Sequence, residues 1–318
     1  MLRSFLIYLS KAAWARRLVM RLPLARRTAR RFVAGETLPE AFRAVAELNA
    51  AGMLATLDLL GEHARDGAAA AEAASQIRST LDQIAQSGLR TNLSIKLTQI
   101  GLKLDENLCL QHLREIIETA QQLGLFVRID MEDSPCVDAT LRLYRQMRAD
   151  GFNNLGVVIQ SYLYRSEADV HALLGQNARI RLVKGAYMEP PDRAFPKKAD
   201  VDAAFDRLAD LLLHASLSAS PAPGEKESWP PIAAIASHDA ARIEFAKQHG
   251  IEIGLPKPRL EFQMLYGIRR DLQKQLVTEG YPVRVYVPFG RQWYPYFMRR
   301  LAERPANLWF FVSNLVKR

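Results

Sequence analysis

The chain has 318 residues, 49% of them hydrophobic and 24% charged, an ordinary globular composition with enough apolar material for one sizeable core. Two cysteines are too few for a disulfide framework, the six histidines form no metal motif by spacing, and no apolar run reaches the length of a membrane span. The formal net charge of +9 is concentrated at the start. Residues 1–31 hold nine Lys or Arg and no acid, leaving 34 basic against 34 acidic side chains in the rest.

In chain order, the basic arm comes first. Its cations are Arg3, Lys11, Arg16, Arg17, Arg21, Arg26, Arg27, Arg30 and Arg31, interleaved with Leu2, Phe5, Leu6, Trp14 and Leu18. This reads as a basic amphipathic helix suited to an anionic membrane surface, with packing against the rest of the protein as an equal alternative. A mitochondrial transit peptide has the same composition. It ranks lower because the arm runs into a second helical pattern, Phe32 to Leu48. No nucleic-acid partner is expected, since the patch lacks a recognisable module. Residues 1–50 are assigned to an N-terminal helical arm and 51–318 to one further domain, a barrel on the pattern that follows.

From there one pattern repeats: a short β-branched run ending in polar residues, then a helical stretch. The strands expected are Met53 to Leu59, Arg90 to Leu97, Leu125 to Met131, Leu155 to Gln160, Arg179 to Lys184, Pro231 to Ser237, Arg259 to Met264 and Val283 to Val287. Helical periodicity covers Leu108 to Leu123, Ala139 to Asp150 and Val201 to Ser218, and the Ser-, Pro- and Gly-rich segment Ser216 to Pro231 reads as an exposed linker. Eight alternating units point to an α/β fold, a (β/α)8 TIM barrel. An open doubly wound sheet ranks second, because no G-x-G-x-x-G follows any strand.

In such a barrel the polar residues at strand C-termini face the active-site mouth. They are Lys96, Asp130, Gln160, Arg181, Lys184, Ser237, His238 and Tyr286. After the turn Pro288-Phe289-Gly290, a last helix entered through Trp293 and Pro295 caps the mouth. It carries Tyr296, Arg299, Arg300 and Glu303 at i, i+3, i+4 and i+7, hence on one face. Two adjacent guanidiniums suit a carboxylate or phosphate held by paired hydrogen bonds. Lys96, Arg181, Lys184, Arg299 and Arg300 against Asp130 and Glu303 would repel one another without anionic ligands, so the site is expected to take anions.

The segments Leu93-Ser94-Ile95-Lys96-Leu97, Arg128-Ile129-Asp130-Met131-Glu132, Arg181-Leu182-Val183-Lys184-Gly185-Ala186-Tyr187, Ser237-His238, Glu261-Phe262-Gln263-Met264-Leu265 and Tyr296 to Arg300 resemble those of proline dehydrogenases, in order from about Leu57 to Leu315. The likeness is to the monofunctional bacterial enzymes, whose barrel is shared with longer bifunctional proteins. It implies a distorted barrel carrying FAD, oxidation of L-proline to Δ1-pyrroline-5-carboxylate as the first step of proline catabolism to glutamate, and electron transfer to a quinone. By matching position, Asp130 and Arg181 would be catalytic. Met131, Gln160, Arg181, Val183, Lys184, Gly185, Ala186, Tyr187, Ser237 and His238 would line the cofactor, with Gly185 allowing close backbone approach to a ring or phosphate.

Lys96, Leu265, Tyr286, Tyr296, Arg299 and Arg300 would bind substrate, the arginine pair clamping its carboxylate, and Glu62 would pair with Arg299 as a gate. Asp239 replaces a commoner Asn and puts a negative charge beside the cofactor's anions, with its compensation left open. The resemblance further implies a cytoplasmic enzyme, peripheral to the inner face of the plasma membrane through residues 1–31, passing its product to a separate pyrroline-5-carboxylate dehydrogenase. Two other classes fit the residues alone. A Schiff-base aldolase or lyase would use Lys96 or Lys184 as nucleophile, and a non-enzymatic membrane-binding scaffold would use only the arm.

Overall fold

A computed structural model describes residues 29–61, 63–220, 224–226 and 228–303, together with Leu9, Ala12, Trp14 and Ala15. The expected gate acid Glu62, nearly all of the basic arm and the side chain of Glu303 lie outside the described residues.

The strands are β1 (Leu54–Leu59), β2 (Thr91–Ile95), β3 (Val127–Ile129), β4 (Leu155–Gln160), β5 (Ile180–Val183), β6 (Ala233–Ala236), β7 (Leu260–Leu265) and β8 (Val283–Phe289). They pair in sequence order, all parallel, and β8 closes on β1 through the register Leu54↔Arg284 to Leu59↔Phe289. The helices are α1 (Leu38–Ala50), α2 (Gly67–Ser87), α3 (Glu106–Gln122), α4 (Ser134–Ala149), α5 (Ser166–Leu174), α6 (Lys198–Ser218), α7 (Ala240–Glu252), α8 (Arg270–Thr278) and α9 (Trp293–Glu303). The fold is a closed (β/α)8 barrel, as the alternation of runs in the sequence implies.

Local chemistry sets the helix starts. Asp66 accepts a hydrogen bond from the Ala69 amide at 2.8 Å and Asp105 one from the Leu108 amide at 2.9 Å, each satisfying a donor that the first helical turn leaves open. The helical pattern expected from Phe32 begins only at Leu38, because Glu40 reaches back to the Thr37 amide (3.1 Å) and fixes the start there. Ala41, Ala44 and Val45 of α1 are buried, and Ala41 and Val45 belong to the main core.

Period-two alternation sorts every strand into two faces. Ala55, Leu57, Leu93, Ile95, Val127, Ile129, Val157, Ile159, Ile180, Leu182, Phe262, Val285 and Val287 join the helices in the main apolar core. The other face carries Thr56, Asp58, Asn92, Ser94, Arg128, Arg181, Glu261, Gln263, Arg284 and Tyr286, and cross-barrel hydrogen bonds run among these side chains. Barrel interiors are usually filled by layers of branched aliphatic residues. This one is filled by a polar network.

Its lower half is tightly closed. Arg284 and Glu261, each 1% exposed, form a double ion pair at 2.9 and 3.0 Å, and Arg128 donates to the carbonyls of Val157 and Arg179 while stacking on Phe126. Gly156 makes room for it, since a Cβ there would meet the Arg128 guanidinium and the Arg179 carbonyl. The segment expected as an exposed linker is instead partly a floor. The helix α6 runs to Ser218, Trp229 is buried against Phe126 with its indole N–H on the Gly124 carbonyl (3.2 Å), and Arg284 donates to Ser228. The large ring in a polar run explains the difference, because burying its apolar surface outweighs exposing the loop. The turn expected at Pro288-Phe289-Gly290 also moves: Pro288 and Phe289 finish β8, and the chain turns after them.

Candidate active site

At the mouth, side chains from β2, β5 and β8 and from Lys96 just past β2 converge on Asp130, the residue after β3. Its Oδ1 accepts from Arg181 Nη1 (2.9 Å) and Ser94 Oγ (2.8 Å), its Oδ2 accepts from the Tyr286 hydroxyl (2.7 Å), and Lys96 Nζ stands 3.5 Å away. Burial alone would raise its carboxyl pKa, but the charges of Lys96 and Arg181 and the bonds from Tyr286 and Ser94 outweigh that and hold it below the usual carboxylate range. Lys96 donates to Asp58 at 2.7 Å; burial opposes its charge, and Asp58 and Asp130 overcome burial to hold it above the usual lysine range. Burial and the neighbouring Asp130 push the Tyr286 phenol well up. At neutral pH the group is an ionised carboxylate between two cations, with a protonated phenol.

Arg181 is held on several sides. Gln263 accepts from its Nε (2.6 Å), Asp130 from its Nη1, and its guanidinium lies over the Tyr286 ring at 5.2 Å. Its Nη2 is buried and has no hydrogen-bond partner among the described residues. A fixed, buried donor left open at the mouth of a barrel fits a ligand acceptor, because an unmet buried donor costs free energy without one.

The final helix places its arginines at the same mouth. Arg300 is 8% exposed, with its guanidinium 5.1 Å from the Tyr296 ring centre. Arg299 is half-buried and has no hydrogen-bond or ion-pair partner among the described residues. It lies close enough to act on the Tyr187 phenol, which burial and Glu132 push up while Lys96 and Arg299 pull it down, the net direction being upward. Tyr296 is buried in a small second cluster with Phe32, Trp293 and Phe297, which anchors α9. Leu265 ends β7 at the rim, half-buried.

The residues expected to line a cofactor fall around the β4, β5 and β6 ends. Met131 and Gln160 are buried, and Gln160 donates to the Glu132 carbonyl at 2.9 Å. Val183, Lys184, Gly185, Ala186 and Tyr187 follow one another out of β5, half-buried to exposed. Gly185 has φ +116°, and a Cβ there would strike the Tyr162 ring. Ser237 accepts from the Asp239 amide at 3.1 Å, and His238 Nε2 accepts from the Leu265 amide at 2.9 Å, tying β6 to β7.

Two expectations about charge change. Lys184 is not an uncompensated cation of the ring: it binds Asp202 and, at 2.6 Å, Asp239. Lys96 is likewise matched by Asp58. The excess positive charge therefore narrows to the guanidiniums. The same pairing answers how Asp239 is accommodated, since Lys184, followed by the Ala241 amide and Lys198, brings its carboxyl down to about 2.

Asp58, Ser94 and Gln263 join the site beyond the residues expected from the sequence. Asp58 follows the rule that found the others, being the last inward polar position of β1. Ser94 and Gln263 stand inside quoted motifs, and polar residues at inward positions of buried strands were the available signal.

These features define a (β/α)8 barrel with a buried carboxylate, lysine and arginine network at its mouth. The family model for proline dehydrogenase matches residues 41–312. The chain is 44% identical over 290 residues to proline dehydrogenase 1 of Bacillus subtilis, covering 91% of each. It is 43% identical to the proline dehydrogenase of Deinococcus radiodurans, over 91% of this chain and 90% of that one. Among solved structures, proline utilization A from Bdellovibrio bacteriovorus, inactivated by N-propargylglycine, superposes with a TM-score of 0.79 at 26% identity; the match covers 88% of this chain and 33% of that longer one. The chain belongs to the proline dehydrogenase family, and is an enzyme of that kind. Among the described residues no helix is long and apolar enough to cross a membrane.

Proposed function

We propose that this enzyme oxidises L-proline to Δ1-pyrroline-5-carboxylate with FAD as its cofactor and a quinone as the final electron acceptor. The observation carrying this reading is the buried Nη2 of Arg181, unpartnered among the described residues, on a guanidinium that Gln263 and Asp130 fix through Nε and Nη1. A flavin fits there: the donor set offers a fixed positive charge, and Met131, Gln160, Val183, Lys184, Gly185, Ala186, Tyr187, Ser237 and His238 surround the same rim. When bound, FAD supplies the two-electron acceptor for the hydride that leaves proline C5.

The chain's own residues do the rest. Arg299 and Arg300 clamp the substrate carboxylate by paired hydrogen bonds, and Glu62 closes on Arg299 once substrate is in place. Lys96 and Asp130 set the charge around the amine, and Tyr286, Leu265 and Tyr296 pack the methylene face. Fixing both ends of a small rigid ring holds C5 in a near-attack position, which accounts for much of the rate. The Arg181 guanidinium is already oriented and dehydrated, so it stabilises developing negative charge without reorganising. The amine enters the reaction unprotonated, its lone pair expelling the hydride. Residues 1–31 serve as a basic attachment to an anionic membrane surface where a lipid-soluble quinone resides, and the imine product passes to a separate pyrroline-5-carboxylate dehydrogenase.

The test is product formation. Protein supplied with FAD, L-proline and a soluble quinone is expected to yield a compound two hydrogens lighter than proline, by mass spectrometry. Flavin-loaded protein that turns over no proline would refute the reading.

A further inference from the structure

The helices α6 and α7 lie side by side outside β5 and β6, and ion pairs stitch them together almost turn by turn. At their N-terminal ends Lys184 bridges Asp202 and Asp239, and one turn on Arg242 pairs with Asp206 at 3.0 Å. The third rung differs in kind. Asp210 and His214, one turn apart on α6, face His249 of α7, with His249 Nε2 2.5 Å and His214 Nε2 3.4 Å from Asp210 Oδ1. One ligand atom from each of the three lies within 4.8 Å of the other two.

We propose that Asp210, His214 and His249 bind a borderline divalent cation of the zinc, nickel, cobalt and copper class, joining α6 to α7 at the end away from the mouth. Three observations support this. Two imidazoles and one carboxylate are the donor set these ions select, whereas magnesium and calcium prefer all-oxygen cages. The second nitrogen of His249, Nδ1, meets Glu252 Oε2 at 3.2 Å, and Phe245 stacks on the same ring. A carboxylate on the far nitrogen fixes the tautomer and aims Nε2 at the shared point, an arrangement typical of metal-bound histidines. Finally, the geometry needs little change. Ligand atoms around a tetrahedral zinc stand about 3.3 Å apart, given bonds of about 2.0–2.1 Å. The His214 to Asp210 separation already matches, and the His249 to Asp210 pair opens by under about 1 Å through side-chain rotation. His214 is exposed and the other two half-buried, so the ion reaches the site from solvent and keeps water on its open positions.

The site lies apart from the residues proposed for catalysis, so it is testable without turnover. Untagged protein, stripped with chelator, is titrated with zinc chloride and with nickel chloride by calorimetry. One equivalent is expected, with a melting temperature raised by about 3–6 °C at a free metal concentration a hundred times the dissociation constant. His214→Gln and His249→Gln should each weaken binding by at least about tenfold and cut the thermal shift at that metal concentration to about half or less, and Glu252→Gln should weaken binding by about tenfold through the ring it orients. His171→Ala, an exposed histidine on α5, should leave binding unchanged. Magnesium chloride should give no shift. Metal binding undiminished in both His214→Gln and His249→Gln, no binding below millimolar metal, or an equal response to magnesium would overturn the proposal. Because each variant is melted in chelator first, a folding defect is separated from a lost ligand.

Discussion

The lower and upper halves of the barrel interior are built from the same strands, two residues apart, and both bury charge. Below, Arg284 and Glu261 spend their charges on each other, and the floor around Trp229 seals them in. Above, Asp130 is shared among Arg181, Lys96, Ser94 and Tyr286, and Arg181 still holds a donor in reserve. Burial therefore does not mark the working residues, nor does charge. What separates the two halves is place: Arg181, with its Nη2 unpartnered among the described residues, reaches Asp130 at the strand ends that open on the mouth, whereas Arg128, whose Nε and Nη2 are likewise unpartnered, sits two residues deeper. Gln263 links the halves, donating to Glu261 and accepting from Arg181.

The contrast can be broken most severely at the clamp. Arg299→Met and Arg300→Met are each expected to lower kcat/KM for proline by two to three orders of magnitude, about 3 to 4 kcal/mol of lost transition-state binding; steady-state kinetics that stay at wild-type values would remove that arginine from the clamp. Arg181→Met should lower kcat by about a hundredfold, because a preorganised charge at the reacting centre disappears. Arg284→Met sharpens the comparison from the other side. Leaving Glu261 buried without its cation should cost about 3 to 5 kcal/mol in chemical denaturation, while kcat/KM of the folded enzyme stays within about threefold of wild type. A loss of activity as large as that of Arg181→Met would mean that the two halves work as one.

Acid and base probe the same difference more gently. With Asp130 held low and Lys96 and Tyr286 held high, none of the three changes protonation between about pH 6 and 9, so a rise of kcat/KM across that interval reports the substrate amine losing its proton. A flat profile would count against the proposed chemistry. The smallest effect belongs to the outer rim. Asp239, brought down to about 2, contributes stability that is present above its unfolded pKa near 4 and lost as pH falls through about 2. Asp239→Asn should cost about 0.5–1 kcal/mol and flatten that acid limb in a pH series of thermal melts.

How far the sequence reveals this molecule follows from which forces are local. The eight strands are legible because each pairs an apolar outward face with a polar end, and the helix starts are legible in Asp66 and Asp105. Lys96, Asp130, Arg181 and Tyr286 could be listed because the barrel sends strand ends to one rim. Their partners could not. Asp58 finds Lys96 across 38 positions and Arg181 finds Gln263 across 82, distances at which spacing carries no information. The same blindness hid Lys184 beneath Asp202 and Asp239, disguised a floor as a linker through its Ser and Pro content, and concealed three potential metal ligands from two separate helices. Glu62 and the basic arm remain proposals on sequence grounds.

The most direct test is the visible spectrum of the purified protein, supplied with FAD and titrated with L-proline in the absence of oxygen. Bound flavin whose absorbance bleaches in step with proline is the predicted result. Protein that takes up no flavin, or flavin that proline leaves oxidised, would contradict the claim that the open network at the barrel mouth is where proline is oxidised.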